Sequence, residues 1–250
     1  MPDIQGNVYN SYMKIVHPHN WQVSPAEAIK IQVRLAGEVS REGSIENPRY
    51  IAGVDISVDR LAKTGTAAVV VLSYPGLEIV ETRVVTDRIV FPYVPGLLTF
   101  REAPLTLAAC EKLVVTPDIV IVDGQGVAHP RRIGLASHLG LCLETPTIGC
   151  AKSRLIGEHA KPGLEAGSYA DLSDKGEIIG AVLRTRSGVS PVFVSVGNRI
   201  SLPSAIHWVM ACCRGFRIPE PTRLAHMAAG GNLRTTIGTA VAEGYQKKFI

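Results

Sequence analysis

The run Ile119-Val120-Ile121-Val122 ends abruptly at Asp123-Gly124-Gln125-Gly126. Four apolar, β-branched residues in succession leave no polar face for water, so they predict a strand buried on both sides. Such a strand lies inside a sheet with helices on each face, which points to an α/β architecture. The chain can supply that covering. Of its 250 residues 46% are hydrophobic and only 19% charged, against roughly 25% charged in an average domain. That balance excludes a disordered chain. No apolar run approaches the ~18 residues of a membrane helix. Met1-Pro2-Asp3-Ile4-Gln5 lacks the charged start and apolar stretch of a signal peptide. The five cysteines (Cys110, Cys142, Cys150, Cys212, Cys213) are odd in number and include no CxxC pair. They predict reduced thiols in a cytoplasmic protein. A net charge of +4 is too small to name a partner.

The flanking segments fit the same architecture. Ser24-Pro25-Ala26-Glu27 predicts a capped helix start, followed by an amphipathic helix to about Val39 with Ile29, Val33 and Ala36 on one side. Three strand-like runs, Tyr50–Ser57, Ala67–Ser73 and about Glu78–Val90, have short connections, as in an antiparallel meander. A helix is expected across Ala103–Leu113, another around Gly134–Leu143, and a strand near Thr147–Ala151. Ile178–Thr185 and Val192–Val196 read as a hairpin, and helices near Pro203–Cys213 and Pro221–Ala229 close the order. No repeat or linker divides the chain. Residues 1–250 therefore read as one domain, with about 231–250 a candidate mobile tail. Three antiparallel strands followed by parallel strands in strand–helix–strand crossovers predict a mixed sheet with helices on both faces. That is the element order of the ribonuclease H-like fold, and several other α/β folds share it.

Acids interrupt the apolar strands at two places. Asp55 breaks Ile51-Ala52-Gly53-Val54-Asp55-Ile56, and Asp123 stands at the carboxyl end of the buried strand, where open α/β sheets place their ligands. An ionised carboxylate in such surroundings needs a partner. A divalent ion such as Mg2+, which binds through one or two carboxylates and phosphate oxygens, is one candidate. A salt bridge for Asp55 and a plain turn for Asp123 are the structural alternatives. Thr99-Phe100-Arg101-Glu102 has the capping-box pattern, yet Pro104 belongs in a first helical turn. Glu102 is therefore expected just before the helix, facing the sheet.

Loops and cations complete the pattern. Phe91-Pro92-Tyr93-Val94-Pro95-Gly96 holds an aromatic between two prolines, rigid enough to wedge between stacked bases or simply to pack on its own loop. Between Gly124 and Lys161, the five cations Arg131, Arg132, Lys152, Arg154 and Lys161 face only two acids, Glu144 and Glu158. Basic residues beside an acidic cluster suit a polyanion held near a metal, and a solvated helix face is the bland alternative. His226, alone on the last helix, reads as structural.

Four blocks, in order, resemble the endonuclease V (deoxyinosine 3′ endonuclease) family. They are Gly53-Val54-Asp55; Pro92-Tyr93-Val94-Pro95-Gly96 through Phe100-Arg101-Glu102; Asp123-Gly124-Gln125-Gly126-Val127-Ala128-His129-Pro130-Arg131-Arg132; and Pro219-Glu220-Pro221-Thr222-Arg223. Gly149-Cys150-Ala151-Lys152-Ser153 also fits. The resemblance implies that Asp55 and Asp123 bind Mg2+, with Mn2+ substituting, and that Glu102 is the third acid, acting on the metal or through its waters. It implies catalytic positions at His129 and Lys152. It puts Pro92, Tyr93, Val94, Pro95, Arg131, Arg132, Lys152 and His226 on the nucleic acid, with Tyr93 as the wedge. Gly96, Leu98, Gly124 and Gly149 would line a hypoxanthine pocket with their backbones. The implied reaction is hydrolysis of the second phosphodiester bond 3′ to deoxyinosine in DNA, leaving 3′-hydroxyl and 5′-phosphate ends, by a monomer with no membrane association. Inosine-containing RNA stays open as a substrate. The rival readings are a non-catalytic nucleic-acid-binding module of the same fold and a sugar-kinase-like ATPase, against which the lack of a P-loop counts.

Overall fold

Five helices and eight strands make up the described residues, 13–233 of a computed structural model. In chain order they begin with α1 (Pro25–Ala36), β1 (Tyr50–Asp59), β2 (Thr64–Ser73), β3 (Ile79–Arg88), α2 (Leu98–Cys110), β4 (Ile119–Val122) and α3 (Leu135–Leu143). Next come β5 (Thr147–Ala151), β6 (Tyr169–Asp174), β7 (Glu177–Leu183), β8 (Val192–Asn198), α4 (Leu202–Ala211) and α5 (Glu220–Ala229). The expected mobile tail lies outside the described residues from position 234 onward. Among the described residues no helix is long and apolar enough to cross a membrane.

All eight strands join one sheet, ordered β3-β2-β1-β4-β5-β8-β7-β6. β4 pairs in parallel with β1 on one side and β5 on the other, and its four residues are buried. β1, β2 and β3 are antiparallel, as their short connections predict. Beyond β5 the sheet turns antiparallel again through β8, β7 and β6, so the parallel part is a central strip.

Side-chain alternation divides the core into two layers. Ile51, Ile119, Ile121, Ile148 and Val194 point toward α4 and α5, where Trp208, Val209, Ala225 and Ala228 cover them. Ala52, Val54, Val120 and Val122 point the other way, against Ala103 and Leu107 of α2 and Leu139 and Leu143 of α3. Full burial of each larger side chain contributes roughly 1.5–3 kcal/mol.

Three local expectations need correction. α2 starts at Leu98 rather than Ala103, so Glu102 lies inside the helix and Pro104 is an interior proline. Pro104 has no N–H to offer the Phe100 carbonyl, a loss of about 3 kcal/mol that burial of Phe100, Ala103 and Leu107 offsets. α1 ends at Ala36 and turns Ala28, Gln32 and Leu35 inward, leaving Ile29 and Val33 exposed. Ser24 and Glu27 do form the reciprocal capping box. β6 was not anticipated. It is an edge strand with only Leu172 buried, and Lys175-Gly176, both at positive φ, form the two-residue turn that pairs it with β7.

One close approach governs how α5 meets the sheet. A Cβ built on Gly53 would lie 1.9 Å from the carbonyl group of Pro221, the second residue of α5. Glu220 holds that helix start together through two bonds to Arg223, of 2.9 and 2.6 Å. Gly53→Ala should therefore lift α5 from β1 and cost about 3 kcal/mol. Urea denaturation measures this, and a midpoint equal to wild type would contradict the packing described.

Candidate active site

The parallel register of β1 and β4 builds the centre of the site. Val54 pairs with Val122, and Asp55 and Asp123 are the next residues on their strands. Both continue the face of Gly53 and Ile121, which lies under α5. Because Gly53 lets α5 come close, His226 reaches over the strand end and its Nδ1 lies 2.6 Å from Asp55 Oδ2. Donor atoms of Asp55, Asp123 and His226 all fall within 4.8 Å of one another. Both acids are largely enclosed, with side chains 10% and 12% exposed. Two carboxylate oxygens and an imidazole nitrogen so close together fit a single divalent cation.

Electrostatics report the same crowding. Burial pushes the Asp55 carboxyl above the usual range and Asp123 adds to the rise, while the His226 hydrogen bond opposes it. Glu102, buried on α2, is pushed up to about 8, first by burial and then by Asp55, with Asp123 contributing and Arg101 opposing. Glu102 thus feels both acids but stands outside the tight donor set. His226, expected on the nucleic acid, occupies the third place instead. The sequence signal was slight: a histidine on a helix whose register over β1 depends on a distant glycine.

Lys152, at the end of β5, forms an ion pair with Asp123. A residue that the sequence reading did not single out holds it there. Arg217 donates to the carbonyl of Lys152 at 2.6 Å and to those of Ser190 and Pro191 at 2.8 Å each.

The tyrosine loop is anchored at both ends and open in the middle. Val94 packs against the Phe91, Leu97 and Phe100 cluster, whereas Tyr93 is 69% exposed between exposed Pro92 and Pro95. Leu97 N–H donates to Val94 C=O at 2.9 Å, and Gly96 has φ +77°, the geometry of a type II turn with Pro95 leading.

His129 and the two arginines have internal partners rather than a place in the donor cluster. His129 Nε2 donates to the Gly96 carbonyl at 3.0 Å, and its Nδ1 accepts the Arg131 N–H at 3.2 Å. Burial and the neighbouring Arg131 lower its pKa to about 4, so the ring is neutral. Arg131 donates to the same Gly96 carbonyl at 2.7 Å. Arg132 bonds Glu177 at 2.6 Å and Asp174 at 2.8 Å, tying the β6–β7 turn to the loop after β4. All three guanidinium nitrogens of Arg132 are engaged within the fold, so its expected role on the nucleic acid gains no support from this geometry, while Arg131 bonds inward through Nε and Nη2.

Of the residues expected at the base pocket, Gly149 packs beneath the Asp123–Gly126 turn. A Cβ there would fall 2.4 Å from Gly126 N and 2.7 Å from Gly124 O. Gly96 belongs to the clamp just described, and Leu98 is the partly exposed first residue of α2.

Comparison with known proteins places the chain in one family. The family model for Endonuclease V matches residues 33–227. A protein of Dehalococcoides mccartyi (strain CBDB1) named Endonuclease V is 52% identical over 217 residues, covering 87% of this chain and 97% of the relative. One of Gloeobacter violaceus is 54% identical over 211 residues, 83% of this chain and 86% of the relative. The solved Endonuclease V of Streptomyces avermitilis superposes with a TM-score of 0.81 at 41% identity, covering 88% of this chain and 97% of its own. Ciona intestinalis Endonuclease V, solved with a 23mer DNA containing an inosine followed by a ribo-adenosine, gives 0.72 at 29% identity, with 84% and 98% covered.

The raised Glu102 affinity has a consequence for stability. Its carboxyl ionises near 4.5 ordinarily but near 8 in the fold, so folding stability falls as pH rises between those values. In chelator, Glu102→Gln should melt several degrees above wild type at about pH 8 and nearly with it at about pH 4. Thermal melts across that range test this. A wild type more stable than the variant at the alkaline end would contradict the burial.

Proposed function

The chain belongs to the endonuclease V family of nucleases, and on that premise we propose that it nicks the second phosphodiester bond 3′ to deoxyinosine in DNA. The ends produced are a 3′-hydroxyl and a 5′-phosphate, and the cofactor is Mg2+, with Mn2+ as a substitute. The observation that carries this reading is the meeting of Asp55, Asp123 and His226 within 4.8 Å at the carboxyl end of the central strands. The inosine-containing DNA bound by the Ciona relative supports the substrate class.

Asp55 and Asp123 would hold the cation, with His226 beside them. When bound, the ion supplies Lewis-acid polarisation of the scissile phosphoryl group and stabilises charge on the leaving 3′ oxygen. Glu102 stands outside the tight donor set, so it acts on the ion through water rather than as a direct ligand. Lys152, half-exposed beside Asp123, offsets phosphate charge. Tyr93 projects from its proline frame to fill the gap left by the displaced base. Inosine pairs imperfectly, so displacing it costs less than displacing a normal base, which supplies part of the selectivity. Backbone groups of Gly96, Leu98, Gly124 and Gly149 read the hypoxanthine edge. The buried thiols suit a reducing, cytoplasmic setting.

Asp55→Ala and Asp123→Ala should each lower nicking of a 3′-labelled inosine duplex by about a hundredfold or more, while binding of that duplex in Ca2+ persists. Unchanged nicking by either variant would refute the assignment. Tyr93→Ala should reduce turnover and the preference for inosine without moving the Mg2+ midpoint. A variant equal to wild type at limiting enzyme would remove the wedge. Matched inosine DNA and RNA oligonucleotides measure the preference between the two.

A further inference from the structure

Gln32 is a fully buried glutamine on a helix whose other inward residues are Ala28 and Leu35. A buried amide is costly unless each of its groups is paired. Here both ends are. Its Nε2 donates to the Gly96 carbonyl at 3.1 Å and to the Ile133 carbonyl at 3.4 Å, and its Oε1 accepts from Arg131 Nε at 2.6 Å. Together with His129 and Arg131, Gln32 places a third donor on one carbonyl oxygen.

That oxygen lies where the tyrosine loop turns into α2. The chain between Pro92 and Gly96 is stiffened by its two prolines and closed by the Leu97-to-Val94 bond. Pinning Gly96 therefore sets the direction of the whole loop. Of the three donors, Gln32 alone belongs to α1. α1 also packs Ala28 and Ile31 into the cluster that anchors Val94. Gln32 further braces Arg131, whose guanidinium would otherwise lack a partner for Nε. None of these contacts involves Asp55, Asp123 or Glu102.

We propose that Gln32 is a positioning residue, which holds the Pro92–Gly96 loop in the direction needed to receive a displaced inosine. The inference rests on the nuclease reading above and extends it to a helix remote from the carboxylates. Loss of Gln32 should weaken capture of the lesion, because the loop must then be ordered at the moment of binding. The chemical step, which depends on the carboxylates, should be left alone.

Gln32→Met keeps the length of the side chain and removes both polar ends; Gln32→Glu keeps the acceptor for Arg131 and removes the donor to Gly96. In either variant that retains the wild-type circular dichroism, KM for an inosine duplex should rise about tenfold. The single-turnover rate at saturating DNA and the Mg2+ midpoint should stay within about twofold of wild type. In a Tyr93→Ala background the same substitution should add little, because the residue through which it acts is gone. Amide exchange in the peptide Phe91–Leu98, with no DNA present, should quicken about tenfold while the β4 peptide is unchanged. An unchanged KM, a shifted Mg2+ midpoint, a full additional loss in the Tyr93→Ala background or unchanged loop exchange would each overturn the inference. A wild-type chain that nicks no inosine duplex would refute the nuclease reading instead, and loop exchange would still report whether Gln32 holds the loop.

Discussion

Buried carboxylates repel one another where water is too scarce to screen them, and this chain brings Asp55, Asp123 and Glu102 into one such place. Each acid has a different answer. Asp55 takes a hydrogen bond from His226, Asp123 pairs with Lys152, and Glu102 keeps its proton up to about pH 8. Much of the surrounding fold serves that arrangement. The parallel register of β1 and β4 sets the two aspartates side by side, and the absent side chain at Gly53 allows α5 to carry its histidine over them. A divalent cation shared by the cluster would relieve the repulsion that the sheet imposes, so ion binding and the raised proton affinity of Asp55 and Glu102 belong to one balance.

The neighbouring loop is organised by the opposite means. Around Gly96 the groups are hydrogen-bonded to one another: His129 is held uncharged, Arg131 is braced by Gln32, and three donors meet one carbonyl. Nothing there calls for an ion. The two aspartates and the preorganised loop sit on different elements, and none of the loop's bonds reaches Asp55 or Asp123. Backbone positioning by buried side chains makes Tyr93 rigid at its root and free at its tip.

Local patterns in the sequence carried the parts of this structure that depend on local physics. The apolar run before Asp123 marked the central strand, because a double-sided burial requirement shows in four consecutive residues. Asp55 was conspicuous for interrupting such a strand, and Ser24 with Glu27 announced the start of α1. What stayed hidden depends on distant partners. The inward face of α1 could not be read from periodicity, since the burial of Gln32 is decided by Gly96 and Arg131, 64 and 99 residues away. The early start of α2 defied Pro104 because tertiary burial of Phe100 outweighs a lost backbone bond. β6 has too few buried residues to show a strand pattern. The cations after β4 looked like a surface for a polyanion, yet Arg132 finds its acids on a hairpin more than forty residues ahead.

The shared-ion arrangement is tested most directly by diffraction from crystals grown with Mn2+, using its anomalous scattering. The account expects a peak in contact with carboxylate oxygens of both Asp55 and Asp123, on the side facing His226, and its loss in Asp55→Ala. A peak bound to only one of the two aspartates, or no peak between them at saturating Mn2+, would contradict it.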